Sequence, residues 1–428
     1  MIWNRAGVYC VLLGAVMNAT PLPADEAAAA KTQGAGSKPD TRSAASPAAA
    51  EPQIGASVQE IEKAYEGRTP PESVRMLLAI VKGSMLSGRD GWFGPAATRY
   101  TWDWLAQKTG VPSQSITAEK FPGPAHWFAR LDRNKDGHIA PEDLDWSDEN
   151  TWIQQSYLVN RLFRRIDPTG DGKLSRDEWL AFFEKAAGGK DHLVSEDLRD
   201  AMLAGASGSF LPGDAPPQDV LIRGLFAGEI GSLNEGPKLN DRAPDFALKT
   251  FDGSQTIRLG DVVGKKPIVL TFGNFTCGPF RSMLPGVEAI HKRFAEEAVF
   301  LMVYVREAHP TDGWKMESNA RTGVAVTQPK TFAERTAVAT QCYQLLKPTM
   351  PLLVDEINDP VGNAYSGMPA RLYVIDRQGN VSYKSGRGPF GFKSGEMEQS
   401  LVMALLEQSS PATEAKPEQI TGASESGK

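Results

Sequence analysis

From about Pro244 to Leu406 the chain alternates short β-rich runs with amphipathic ones. In order these are "PIVLTF", a helical stretch after Cys277, "AVFLMVYV", a helix across "TFAERTAVATQCYQLL", "PLLVD", "RLYVI", "NVSYKS" and a last helix near Gly395 to Leu406. Runs of this kind are buried on both faces of a sheet, and the amphipathic segments between them supply the cover. The alternation therefore predicts an α/β domain around a central sheet. Ahead of the first long run, "DRAPDFALKTFDGSQTIRLGDVV" reads as a hairpin leading into it.

The chain before this domain is helical and carries a metal signature. Calcium needs a cage of hard oxygens, which a twelve-residue loop supplies from positions one, three, five, seven (a main-chain carbonyl) and twelve. In "DRNKDGHIAPED" Asp132, Asn134 and Asp136 lead, Gly137 permits the sharp turn, His138 offers its carbonyl and Asp143 closes the cage. In "DPTGDGKLSRDE" the same roles fall to Asp167, Thr169, Asp171, Gly172, Lys173 and Glu178, the last as bidentate ligand. The loops begin at Asp132 and Asp167, 35 residues apart, the separation of paired EF-hands. Ile139 and Leu174 occupy the positions through which paired loops share a short β contact. Asp143 is shorter than the usual glutamate and Thr169 replaces a common carboxylate, so of the two expected Ca²⁺ sites the second is expected to be the tighter. A stretch near "KDHLVSEDL" lacks ligands and is discounted as a third hand. Permanently occupied, structural calcium is the favoured reading over a switch.

Other segments set the boundaries. Arg5 precedes an apolar stretch ending near Ala19, so residues 1–24 read as a signal peptide and the protein as exported, an uncleaved membrane anchor being the minority reading. Residues 25–53 are Ala, Ser, Pro, Thr and Lys with almost no large apolar side chain, a disordered linker by composition. A helical Trp-rich region follows at 54–120, in which Thr69 and Pro70 are expected to open a helix whose core stripe is Val74, Leu77, Leu78, Val81 and Met85. The EF-hand pair takes 121–205, a second linker around "GASGSFLPGDAPPQ" takes 206–240, the α/β domain 241–408 and a polar tail 409–428. A net charge of -6 without a dense Lys/Arg block argues against a nucleic-acid partner.

The chemistry centres on "LTFGNFTCGPF". With Cys10 inside the signal peptide, Cys277 and Cys342 are left, and one disulfide between them stays open. Cys277 follows a buried strand, and Pro279 suits the first turn of a helix. Unsatisfied N–H groups and the positive dipole end there favour a thiolate. The run Cys277, Gly278, Pro279, Phe280 contains no resolving thiol, so an oxidised intermediate needs an external thiol or the distant Cys342, which sits on a helical pattern and reads as core. Beyond the next buried strand, "VYVREAHPTDGW" places Glu307, His309, Asp312 and Trp314 at a strand end, where ligands gather in open α/β sheets. His309 is expected to move a proton, with Glu307 tuning it.

Together "TFGNFTCGPF", "VREAHPTDGW" and "PARLYVIDRQGNVSYKSGRGPFGF" resemble the iodothyronine deiodinase family over about Pro244 to Leu406. The resemblance implies a thioredoxin-like fold and reductive removal of iodine from a small iodothyronine-like substrate, with a thiol or thioredoxin-like protein as final reductant and a tendency to form homodimers. Cys277 falls on the family's selenocysteine, and Glu307 and His309 on its acidic and histidine pair. Arg371 and Arg387 fall in its "RLYVI" and "GRGP" motifs, and the planar fork of Arg387 suits a substrate carboxylate. Phe275, Met350 and Pro329 stand where the family carries two cysteines and a histidine, which counts against both intramolecular resolution and efficient dehalogenation. The expectation is an exported, calcium-binding, deiodinase-like thiol oxidoreductase. A peroxiredoxin-like peroxide reductase and a non-catalytic calcium-dependent scaffold are the alternatives.

Overall fold

The computed structural model describes residues 54–82, 96–110, 114–147, 149–203, 218–388 and 391–409. The expected signal peptide and first linker, Met85 and all but the first residue of the expected polar tail lie outside them. The chain starts with helices α1 (Ile54–Ala64) and α2 (Glu72–Val81). Thr69 and Pro70 do not open α2: Pro71 is its N-cap, with ψ 152°, and the helix begins at Glu72, since a residue before proline is disfavoured in helical geometry. Its buried face is Met76, Leu78, Ala79 and Ile80, with Val74, Leu77 and Val81 only half-buried.

The Trp-rich region departs from the expected boundaries. Strand β1 (Ala97–Thr98) adds to an edge of the large sheet, and α3 (Trp102–Thr109), capped by Thr101 and ended by left-handed Gly110, follows it. Arg99 anchors the segment on Asp376 at 2.7 Å and Glu407 at 2.8 Å. Residues 96–110 thus belong to the sheet rather than to α1 and α2.

After β2 (Ile116–Thr117) comes the first hand, α4 (Ala125–Leu131), β3 (His138–Ile139) and α5 (Pro141–Leu144). The second lies between α6 (Thr151–Ile166) and α7 (Arg176–Ala187), with α8 (Ser195–Leu203) beyond. The two loops do not pair through Ile139 and Leu174 as expected. Ile139 faces Ile116 instead, both wholly buried, which gives it an apolar partner that half-buried Leu174 does not offer. Where a linker was expected at 206–240, α9 (Gln218–Phe226) forms and closes a small core of Met76, Ile80, Leu221, Leu225 and Ile230 with α2.

The sheet runs β1-β10-β9-β6-β7-β8-β4-β5. Its hairpin is β4 (Ala247–Thr250) with β5 (Thr256–Arg258), and at its centre lies β6 (Ile268–Gly273), buried at all six positions because it is apolar on both faces. Helix α10 (Gly278–Phe294) leaves β6 and returns the chain to β7 (Val299–Tyr304), parallel to β6. The short α11 (Glu317–Arg321) and the longer α12 (Phe332–Leu346) lead to β8 (Leu352–Val354), parallel to β7. Strands β9 (Arg371–Ile375) and β10 (Val381–Lys384) complete the sheet antiparallel, and α13 (Ser394–Ser409) packs back on them. Three parallel strands followed by two antiparallel ones, with helices between, are the thioredoxin-like α/β arrangement.

The first hand is fastened to this domain. Glu398 of α13 takes Arg130 at 2.8 Å and Arg293 of α10 at 2.7 Å, and Trp146 donates to Gln399 at 2.9 Å. The second loop lies against α10 and α11. A side chain at Gly172 would collide with the Ser282 carbonyl and Pro285, and one at Gly170 would meet Thr322 Cγ2 at 3.2 Å.

Candidate active site

Strand β6 ends at Gly273, where only glycine fits because Phe280, turning back from α10, fills the space a Cβ would need. The next residue, Asn274, is fully buried and organises everything around Cys277. Its Oδ1 accepts from the Cys277 N–H at 3.0 Å, the Thr276 hydroxyl at 3.2 Å and the Ala308 N–H at 3.2 Å. Its Nδ2 donates to the Pro369 carbonyl at 3.0 Å. One amide thereby ties the end of β6, the loop after β7 and the segment before β9. Thr276 completes the weave: its N–H donates to Glu307 Oε2 at 2.8 Å, and its hydroxyl accepts from the His309 N–H at 2.9 Å.

Cys277 is the N-cap of α10, as its spacing predicts, but it is only 1 % exposed. Burial pushes its thiol up to about 11, opposed by the Phe280 N–H and Arg281. In this closed site desolvation outweighs the helix terminus, so the expected thiolate is not the resting state. Cys342 is a second free thiol buried in α12, also pushed up by burial. The structure contains no bridge between them.

Glu307 and His309 stand at the Cys277 loop, yet not as a coupled pair. Both carboxylate oxygens of Glu307 are used, one by the Thr276 N–H and the other by the Tyr304 hydroxyl, and burial pushes its carboxyl up. The imidazole of His309 meets the Trp314 carbonyl through Nδ1 at 3.2 Å and packs edge-on against the Trp314 ring at 4.5 Å. A carbonyl only accepts, so Nδ1 carries the proton and Nε2 a lone pair. Burial pushes His309 down to about 4, which keeps that neutral tautomer through the physiological range. Glu307 therefore fixes the backbone at Thr276 instead of tuning the imidazole. Asp312 accepts from the Gln328 N–H at 2.8 Å, and Gln328 in turn clasps the Glu307 main chain.

Arg371 and Arg387 are each 1 % exposed, and the carboxylate they grip is Glu72 of α2, with both bonds at 2.8 Å. Neither guanidinium is open to a substrate in this structure, a correction to their expected role. Phe275, Met350 and Pro329 are buried packing residues. Four residues the sequence reading left without a role, Asn274, Thr276, Arg281 and Asn319, form the frame of the site. The side chain of Asn319, on α11, donates to the Thr276 carbonyl at 2.7 Å and accepts from Arg281 at 3.0 Å. Two polar residues directly after an apolar run, Asn274 and Thr276, are the signal that could have found half of them.

The calcium loops differ in how well they fit an ion. In the second, Asp167 Oδ1 and Glu178 Oε1 both lie 3.0 Å from the Thr169 hydroxyl, so positions one, three and twelve converge. In the first, Asp132, Asn134 and Asp136 converge, but Asp143 gives its two oxygens to the N–H groups of Arg133, Asn134 and Ala140 and is 1 % exposed. Among the described residues no three His, Cys, Asp or Glu side chains gather as a metal cluster. Both sets thus depend on Asn134, Thr169 and the carbonyls of His138 and Lys173. Positions one, three and twelve draw together in the second loop, whereas position twelve of the first is turned to main-chain N–H groups.

Known proteins resemble this chain over two stretches. The iodothyronine deiodinase family profile matches residues 222–405, and the EF hand profile matches 125–145 and 159–183. Thyroxine 5-deiodinase of Gallus gallus is 30% identical over 205 residues, covering 45% of this chain and 78% of that protein. Type II iodothyronine deiodinase of Sus scrofa is 31% identical over 155 residues, covering 36% of this chain and 57% of that protein. A thioredoxin family thiol:disulfide interchange protein from Chlorobium tepidum aligns at 17% identity and a TM-score of 0.28, over 40% of this chain and 99% of its own. A cysteine capping the helix after the central strand, a histidine at the next strand end and the two deiodinase relatives lead to one conclusion: the chain belongs to the iodothyronine deiodinase family of oxidoreductases, carrying an EF-hand segment ahead of a thioredoxin-like domain.

Proposed function

We propose that this is an exported, calcium-binding thiol oxidoreductase that reductively removes iodine from iodinated phenols of the iodothyronine type. The observation that carries the reading is the joint fixing of Cys277 and His309 by Asn274 and Thr276. In the reaction the Cys277 sulfur attacks iodine, so that the S–I bond forms as C–I breaks and the ring carbon takes a proton. An external thiol then displaces iodide to give a mixed disulfide, and a second thiol restores Cys277 while the two external thiols leave oxidised to their disulfide. Neutral His309 offers Nε2 to the phenolic hydroxyl. Since Cys277 is buried, substrate enters only as the loop around it opens. Calcium in the second loop would be held by Asp167, Thr169, Asp171, the Lys173 carbonyl and Glu178, would supply charge rather than redox chemistry, and would brace α10 through Gly172.

The test is deiodination of an iodothyronine with excess dithiol, with and without a calcium chelator. Cys277→Ser should reduce turnover to background and His309→Gln should lower it by about 10²–10⁴-fold. A wild-type protein that shows no turnover in calcium would sink the reading. The burial of Cys277 and its raised thiol favour one rival, a calcium-dependent scaffold that has lost turnover, and alkylation of Cys277 as slow as that of an ordinary buried thiol would support it.

A further inference from the structure

Buried guanidinium groups cost several kcal/mol unless an anion meets them. This protein mostly respects that rule. Arg335 holds Asp359 at 2.8 Å, and Arg371 and Arg387 share Glu72. Arg281 breaks it. On the first turn of α10, its main-chain N–H bonded to the Cys277 carbonyl at 3.1 Å, it is 2 % exposed and has no carboxylate within ion-pair distance among the described residues. Its acceptors are the Phe275 carbonyl, Asn319 Oδ1 at 3.0 Å and Thr322 Oγ1 at 3.3 Å, all uncharged, and its Nε is buried with no partner.

The titratable groups around this charge come from three directions. Cys277 lies one turn before it on α10, Tyr304, Glu307 and His309 lie on β7 and the loop after it, and Cys342 lies on α12. Tyr304 and Cys342 are held protonated by burial, and His309 is held neutral. Glu307, also pushed up by burial, has both oxygens engaged by the Thr276 N–H and the Tyr304 hydroxyl. Glu307 thus turns its oxygens to Thr276 and Tyr304 and not to Arg281, and of these groups Cys277 is the one at which the proposed reaction itself forms a negative charge. We infer that Arg281 is the built-in counter-charge of the Cys277 thiolate: three neutral acceptors hold its guanidinium beside the Cys277 loop, and the anion it lacks is supplied when the S–H proton leaves to water as the site opens. Arg281 is a positioning residue, acting on substrate only through the sulfur.

The inference rests on Cys277 being the reacting thiol of the proposed function, but its test needs no iodinated substrate. Full-length wild type, Arg281→Met and Arg281→Lys are alkylated with iodoacetamide across a pH series, and modification of the Cys277 peptide is followed by mass spectrometry. Arg281→Met should move the midpoint up by about one pH unit or more and slow alkylation near neutral pH roughly tenfold. Arg281→Lys keeps the charge but loses the planar fork, and should restore most of the rate. A midpoint unmoved by methionine, or moved as far by lysine as by methionine, overturns the inference in favour of a purely structural arginine. If Arg281→Met melts below the assay temperature, Arg281→Gln decides on the same readout. A shifted midpoint in a protein that never deiodinates would leave Arg281 in its role and remove the proposed substrate; normal turnover with an unmoved midpoint would do the reverse.

Discussion

Glu72 is one carboxylate serving two buried arginines. Burial alone would raise its carboxyl, but Arg371 and Arg387 outweigh that and hold it at about 2, below its ordinary 4.5. A carboxyl depressed by folding stabilises in full above its unfolded value, and that stabilisation is lost as pH falls through the folded one. Glu72→Gln leaves both guanidinium groups without an anion, and should cost about 3–5 kcal/mol in denaturant titrations at neutral pH. It should also flatten the loss of stability that the wild type undergoes between pH 4.5 and about 2. A mutant as stable as the wild type would mean that the arginines, not the glutamate, set the packing here.

Among the elements, the second EF-hand loop rests on α10, the helix that Cys277 caps. Gly172 has φ 75° and no room for a Cβ beside Ser282 and Pro285, whereas Gly137, its counterpart in the first loop, has φ 87° and nothing within 4 Å. Backbone strain is therefore common to both substitutions, and only one adds a collision. Gly137→Ala should cost about 1–2 kcal/mol from left-handed geometry alone. Gly172→Ala should cost more, and should speed amide hydrogen exchange in the first turns of α10, which Gly137→Ala leaves unchanged. Equal exchange in the two variants would show that the loop merely rests there. These elements also mark what sequence can reveal. The run from β6 through Cys277 into α10 was legible because an apolar stretch, a loop and Pro279 lie in one local pattern. Glu72 was not, since its arginines stand 299 and 315 residues away. Asn274 looked like any loop polar residue, because its meaning comes from Pro369 and Ala308, brought together only by the sheet. Ile116 displaced Leu174 as the partner of Ile139 through burial, which no spacing rule registers.

Across the whole molecule the described residues of the amino-terminal half join the thioredoxin-like domain at several places, among them β1 on β10, Glu72 on β9 and the segment after β10, the first hand on α13, and the second loop on α10. Calcium bound only by the folded chain should raise stability by about 2.7 kcal/mol at a hundredfold excess over its dissociation constant. Glu178→Gln should abolish more of that calcium-induced melting shift than Asp143→Asn, because Glu178, with Oε2 held by Ser175, keeps Oε1 turned to Thr169 of the loop, while both oxygens of Asp143 are committed to main-chain N–H groups. Equal losses in the two variants would contradict the ranking of the loops. The seat of the second loop on Ser282, Pro285 and Thr322 has one more consequence. Linkage is reciprocal, so whatever factor the ion imposes on binding at Cys277, a ligand bound at Cys277 imposes on the ion. Were the second loop to bind calcium with such a factor, the calcium dissociation constant would gauge occupancy at the thiol, readable without watching the chemistry.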